Sequence, residues 1–437
     1  MNLAILGYLM MALMMVILLK GWLTPIVGFV FLPIVFALLA GFGFADISDF
    51  VKSGVPSTLS SAGLALFATT YFRIMTEQGL FDPAVKFLSK RAGGNVSAIL
   101  IITVLISAIS HMDTGTTSTI LVTIPAMLPL YRANNIRVEW LFLMIAQAVA
   151  CINMLPHGGG TIRVSAATGV EGSALFHNIL PIIIVMMVYN VISAYFYGKI
   201  EQKRIAAGKN ENMDNGEGKE SGRKQEIRDI PITWRYWANL ATTVGLLVLM
   251  FLDKFPGYFV FMIGLSIALM VNYTDTKKQI AAVKEYGADA VYIVAIMLCS
   301  GVLVGIMKGT GMLDAMALAI VNIIPQGIKN FYALLIGYIS IPLSICLGAD
   351  GFYYGLAPLF TQVGAEYGFT AATIGAIMII ARDAFGNITP VSPVTYLAPG
   401  MLGKDLGAFI KFSFPWLLLY FTVEMLAGIL LGIVPIL

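Results

Sequence analysis

The chain has 437 residues, 58% of them hydrophobic and only 12% charged, far more apolar matter than a water-soluble core of this length holds. That balance excludes a soluble globular protein, and a formal net charge of +3 gives no reason to expect nucleic acid as a partner. Cys151, Cys299 and Cys346 all lie in apolar runs, an odd number placed for neither a disulfide framework nor a cysteine metal site.

The first run, Leu3–Leu19, follows no basic residue and has no small-residue cleavage site, so it reads as a first spanning helix, not a removable signal. Apolar stretches follow near residues 22–42, 57–76, 95–131 (interrupted), 139–154 and 174–198. A second series lies near 234–252, 256–273, 288–307, 331–348, 352–386 (interrupted) and 408–436. These lengths predict about eleven or twelve spans plus re-entrant pieces in a multi-pass protein of the cytoplasmic membrane, in contact with lipid. Residues 1–198 and 233–437 form two membrane units, joined by a charged linker at 199–232 that is dense in Lys, Glu, Asn and Gly and lacks apolar periodicity. Lys199, Lys203 and Arg204 beside a membrane end place that linker in the cytoplasm. Ile47–Gly54 and Thr276–Gly287 are short and amphipathic, and are expected as interfacial helical arms joining two rigid bodies.

The two units match in register. Asn153-Met-Leu-Pro156 and Asn387-Ile-Thr-Pro390 are the same break in two apolar runs, 234 residues apart (153 to 387), each with a Thr five residues beyond the Pro (Thr161, Thr395). Asp82 and Asp314 pair at a shift of 232, Asp113 and Asp350 at 237. The fold class expected is therefore an all-α polytopic membrane protein of two inverted repeats, with re-entrant hairpins and broken helices, whose binding site lies between the repeats as in secondary transporters.

Four segments could carry chemistry. Ser110-His-Met-Asp113-Thr114-Gly115-Thr116 places polar residues between apolar runs with no room for a loop outside the membrane, and so reads as a hairpin tip. Asp113 there is costly unless paired, protonated or bound to a cation, and it can also cap the following half-helix. In Asn153-Met-Leu-Pro-His157-Gly158-Gly159-Gly160-Thr161-Ile-Arg163, Pro removes a donor, the glycines admit close approach to the backbone, and Arg163 offers a fixed cation for a carboxylate. Asp350 marks the second tip. Asn387, Ser392 and Thr395 can coordinate a small cation or hydrogen-bond a carboxylate at the mate of the first break. Asp113, Asn153, Asp350 and Asn387 are the candidates for a coupling ion, and Asp113 is the residue to hold a metal if the protein binds one directly. Arg382-Asp383 and Glu424, also in apolar runs, are read as structural, Glu424 as a pairing or interface residue; Asp82 and Asp314 are read as N-caps.

These segments resemble those of the citrate–metal symporter family (CitMHS) of the ion-transporter superfamily over nearly the whole length. The resemblance rests on Met112-Asp113-Thr-Gly-Thr-Thr117, Asn153-Met-Leu-Pro-His-Gly-Gly-Gly-Thr-Ile-Arg163, Asp350-Gly-Phe-Tyr-Tyr-Gly355 and Thr389-Pro-Val-Ser-Pro-Val-Thr-Tyr-Leu397. The chain departs from the family pattern at His157, Gly160 and His111-Met112, where substrate choice would lie. The resemblance implies a scaffold part and a transport part, a homodimer, an elevator motion, and citrate or a related di- or tricarboxylate as substrate. No covalent cofactor is implied; Mg²⁺ or Ca²⁺ would travel with the substrate and H⁺ or Na⁺ would be the coupling ion.

Two carboxylates, Asp113 and Asp350, against one cation, Arg163, suit a bare di- or trianion poorly, so something positive should accompany the substrate. Two competing readings are a cation/proton antiporter, which needs no Arg163 or glycine cradle, and an intramembrane aspartyl protease built on Asp113-Thr-Gly with Asp350 as its partner.

Overall fold

The computed structural model describes residues 2–20, 22–91, 93–208, 231–252, 254–323, 326–389, 393–404 and 406–435. Most of the expected linker, residues 209–230, and Ser392 lie outside them. The described residues of the first half form α1 (Leu3–Lys20), α2 (Pro25–Leu39), α3 (Phe44–Gly54), α4 (Leu59–Glu77), α5 (Asp82–Arg91), α6 (Val96–Ser110), α7 (Thr116–Ala133), α8 (Val138–Ile152), α9 (Gly159–Thr168) and α10 (Gly172–Ala206). Those of the second form α11 (Trp234–Leu252), α12 (Gly257–Asn272), α13 (Thr276–Tyr286), α14 (Ala288–Gly309), α15 (Met312–Ile323), α16 (Tyr332–Glu366), α17 (Ala371–Phe385), α18 (Leu397–Leu402) and α19 (Leu406–Leu430).

The order of elements runs twice. The amphipathic α3 and α13 hold the same place in each half, and α16 is two helices broken at Gly348 (φ 65°, ψ 178°), a conformation open essentially to glycine. Its two pieces therefore match α6 and α7, which a short 3₁₀ turn at His111–Asp113 separates. Packing repeats as well: α2 lies against α14 and α4 against α12, so exchanging the halves turns one pair into the other. A second group joins α6, α8, α9 and α10 with α16, α17 and α19, again across the halves. Glycine at Gly301 and Gly305 brings α14 against the backbone of α3 at Gly54 and Phe50, which fixes that arm.

Local sequence explains the boundaries. Asn95 caps α6 by accepting from the N–H groups of Ser97 (3.0 Å) and Ala98 (3.3 Å). Asp275 caps α13 by accepting from Lys277 N–H at 2.9 Å. Asp82 and Asp314 sit in the first turns of α5 and α15, inside the helices, where their charge complements the positive end of the dipole. α10 continues through the basic Lys199–Arg204 segment to Ala206 before the described residues end at Gly208. Its far end is anchored by the fully buried Glu201, which accepts from Arg137 Nε (3.0 Å), Trp140 Nε1 (2.8 Å) and Arg204 Nε (2.9 Å).

Among the described residues, six helices are long and apolar enough to cross a membrane, and five shorter apolar helices accompany them. Ile184, Val188, Ile192 and Phe196 form an exposed apolar stripe on α10, at the fourfold spacing of one helix face. Such a face is stable where the solvent is lipid, and the chain is a multi-pass membrane protein.

Candidate functional site

The site begins at two places where the backbone leaves the helix. After Ile152, Pro156 supplies no donor and Gly158 starts α9 with an extended backbone (φ −68°, ψ 149°). A Cβ on Gly158 would fall on the carbonyl of Asn153, so only glycine fits there. The first bond of α9 runs from Ile162 N–H to Gly158 O at 3.1 Å. The N–H groups of Gly159, Gly160 and Thr161 precede it and have no acceptor within the helix. At the hairpin tip Thr114 takes a left-handed conformation (φ 57°, ψ 12°), unusual for a residue with a branched side chain, and Gly115 starts α7.

Both helix N-termini open on one cavity of about 270 Å³, whose wall includes Thr114 and Thr116 of the tip and Gly159, Gly160 and Arg163 of α9. The second half contributes Ala349 and Tyr353 beside the Gly348 break, Arg382 and Asp383 in the last turn of α17, and Asn387, Thr395 and Ala398 beyond it. Thr69 of α4 and Ile293 of α14 close it from the other packing group. Arg163 joins the halves: its Nε donates to Asp350 Oδ1 at 2.8 Å and its Nη1 to Gly159 O at 2.9 Å. Asn387 Nδ2 donates to Ala146 O at 3.3 Å, tying the second break to α8. Unpaired amides at two helix ends with two guanidinium groups make a cradle for carboxylate oxygens.

Of the residues singled out in the sequence, Thr114, Thr116, Asn153, Gly159, Gly160, Arg163, Asn387 and Thr395 lie on the cavity wall, and Asp350 reaches it through Arg163. The other described ones, Asp113, Gly115, His157, Gly158 and Thr161, are not on the wall. Asp113 is buried, with Oδ1 accepting from Gly115 N–H (2.9 Å) and Oδ2 from Ser118 Oγ (2.7 Å), so its carboxylate caps its own hairpin. His157 stacks on Phe72 with ring centroids 4.5 Å apart and donates from Nε2 to Met112 O at 3.1 Å, holding the tip from below. Thr161 Oγ1 donates to Met154 O at 3.1 Å. Asp113 and Asp350 thus have separate partners, unlike the proton-sharing pair that the protease reading needs.

Three ionisable wall residues were absent from the expected set: Tyr353, Arg382 and Asp383. Tyr353 Oη donates to Asp383 Oδ1 at 3.4 Å, and Gly160 leaves room for both, since a Cβ there would lie 2.5 Å from Asp383 Oδ2. The signal was available as a departure from the repeat: at the shift of 234 residues, Arg382-Asp383 stand where the first half has Ala148-Val149. His111 also proves central to the tip, with Nδ1 2.7 Å from Thr119 Oγ1 and Nε2 3.1 Å from Asn153 Oδ1, linking the hairpin to the first break. Glu424 differs from its expected role. It is 1% exposed, and its Oε2 has no hydrogen-bond partner among the described residues, so it is neither an ion-pair partner nor an interface residue of the chain as folded.

The family profile described as "Citrate transporter" (CitMHS) matches residues 2–381. The chain is 30% identical over 432 residues to a Bacillus subtilis (strain 168) "Citrate transporter", covering 99% of each chain. It is equally 30% identical over 434 residues, with the same 99% coverage of both, to that organism's "Mg(2+)/citrate complex secondary transporter". The crystal structure of the Alcanivorax borkumensis YdaH transporter shares the fold at a TM-score of 0.62 and 15% identity, covering 89% of this chain and 88% of that one. All-helical, with broken helices meeting at a shared cavity, this is a transporter and not an enzyme. The chain belongs to the CitMHS citrate transporter family.

Proposed function

We propose that this protein is a secondary active transporter that carries citrate, or a related di- or tricarboxylate, in symport with protons or another cation across the cytoplasmic membrane. The observation that carries this reading is the cavity at which the N-termini of α7 and α9 meet Arg163 and Arg382. It offers charge and unpaired donors where a compact polyanion needs them, and an antiporter of small cations would have no use for them. Three carboxylates, Asp113, Asp350 and Asp383, stand around the site against those two guanidinium groups, so a bare trianion fits poorly and a positive companion is required. A divalent ion such as Mg²⁺ or Ca²⁺ chelated by citrate would lower the charge of the substrate itself, in keeping with a relative that handles a Mg(2+)/citrate complex.

In this reading the repeats are inverted across the membrane, α2, α4, α12 and α14 form the scaffold of a homodimer, and the group around α8, α9, α16 and α17 carries the cavity past it in an elevator motion. The exchange symmetry of the α2–α14 and α4–α12 contacts supports this assignment. The test is uptake of labelled citrate into liposomes under an inward proton gradient, with and without Mg²⁺ or Ca²⁺, and with Na⁺ as a separate condition. Metal-dependent uptake supports transport of the complex, uptake with protons or Na⁺ alone supports the free carboxylate, and absence of carboxylate uptake in every condition overturns the proposal.

A further inference from the structure

Behind the cavity wall, and reaching it at Asp383, lies a second polar group. Glu424 of α19 is 1% exposed and Asp383 of α17 is 5% exposed, on two helices that pack against each other. Oε2 of Glu424, Oδ2 of Asp383 and the hydroxyl of Tyr420 are all buried without a hydrogen-bond partner among the described residues. The titratable groups facing Glu424 are Asp383 from α17, Cys151 from α8 and Tyr420 from its own helix, with Tyr189 of α10 beyond Tyr420 at a ring separation of 5.7 Å. No cation is among them. Arg382 and Arg163 act on Asp383 from the cavity side, so the positive charge in the region falls on one carboxyl and not the other.

α17 packs on α19, and carboxyl groups buried there with oxygens lacking any hydrogen-bond partner among the described residues hold negative charge only at high cost, while an ionisable group inside a membrane protein is a functional residue by default. We propose that Glu424 and Asp383 form a carboxyl pair that carries the coupling proton, with Asp383 presented to the substrate cavity and Glu424 set behind it against α8 and α10. The inference rests on the symport reading given above. A carboxylate entering the cavity adds negative charge beside Asp383 and strengthens the hold of the pair on its proton. By linkage the proton strengthens the hold on the substrate to the same degree, and its release on the far side weakens both. Asp113 is not needed for this step, since Gly115 and Ser118 already satisfy its oxygens.

The experiment compares the purified full-length protein with Glu424→Gln in two readouts. Infrared spectroscopy at neutral pH should show the carbonyl stretch of a protonated carboxyl that disappears in Glu424→Gln; a wild-type spectrum without that band, or a band unchanged in the variant, overturns the pair, whatever the substrate proves to be. In liposomes, the variant should keep citrate–citrate exchange but lose proton-driven accumulation, by about tenfold for each unit of pH gradient if one proton is carried. Accumulation equal to wild type overturns the coupling role. Absence of carboxylate uptake by the wild-type protein would remove the symport reading and leave the infrared result to decide whether the pair holds a proton. Should Glu424→Gln not fold, Glu424→Asp keeps a titratable group moved by one methylene: a shifted band supports the pair, and an unshifted one overturns it.

Discussion

The two helix breaks occupy matching positions in the sequence and face the same cavity, yet they do different chemistry. The first, from Asn153 to Arg163, exposes backbone donors through Gly159 and Gly160 and adds a guanidinium. The second, at Asn387, has no glycine run; its charge comes from the turn before it, where Arg382 and Asp383 line the wall. The tips diverge in the same way. Asp113 is consumed by its own hairpin, accepting from Gly115 and Ser118, whereas Asp350 reaches across to Arg163. The two halves open their helices at matching places, and the side chains around each opening have separate roles. Symmetry-related residues are therefore a guide to position and a poor guide to function.

Arg163→Gln breaks this comparison most severely, because it removes the one ion pair described between the two openings. Citrate uptake should fall about thirtyfold, in line with roughly 2 kcal/mol, the low end for truncating one partner of a hydrogen-bonded charge pair, because this pair is only half-buried. Arg163→Lys should recover little of it, since a point charge cannot serve Asp350 and Gly159 O together from a planar fork. Next in size, Gly160→Ala places a methyl group 2.5 Å from Asp383 Oδ2 and 2.8 Å from Tyr353 Oη. It should lower stability by about 1–3 kcal/mol, read as a fall in the thermal midpoint, and weaken citrate binding as the wall shifts. Gly400→Ala on α18, with nothing within 4 Å of the added methyl, is the control and should leave both unchanged.

Asp113→Asn sharpens the contrast between the tips. An amide at this position still accepts from Gly115 N–H but loses the charge, so stability should drop by about 1 kcal/mol, as for other weakened caps. The dependence of uptake on the proton gradient should remain, the reverse of what a coupling role for Asp113 requires; flux measured at several gradients separates the two. The smallest effect is expected from Thr114→Gly. It relieves a left-handed conformation that costs a branched residue about 1 kcal/mol, and part of that gain is returned through the looser unfolded chain. The thermal midpoint should rise slightly while citrate affinity falls severalfold with loss of the wall hydroxyl, both measurable on one purified sample.

Much of the architecture was legible in the chain itself. Apolar runs located the helices, the repeated Asn-x-x-Pro segments located both breaks, and the polar residues around Asp113 located the first tip, because each depends on local hydropathy and on what Pro and Gly do to a backbone. The amphipathic α3 and α13 were visible for the same reason. His157 and Asp113 looked like wall residues because they adjoin the breaks, yet one ring turns to Phe72 and one carboxylate turns back on its own hairpin. A side chain's direction depends on what packs against it, and that information is spread over other helices.

What the sequence determined by itself was a membrane protein whose helices open at matching places in its two halves, since hydrophobic length and backbone chemistry are properties of contiguous residues. Only the tertiary structure decided which residues share the cavity. The pairing of Arg163 with Asp350 spans 187 positions, and α17, which carries Asp383, packs on α19, which carries Glu424, across another break. Such contacts arise when helices from both halves pack together, and their energy depends on distance and burial, which no local pattern encodes.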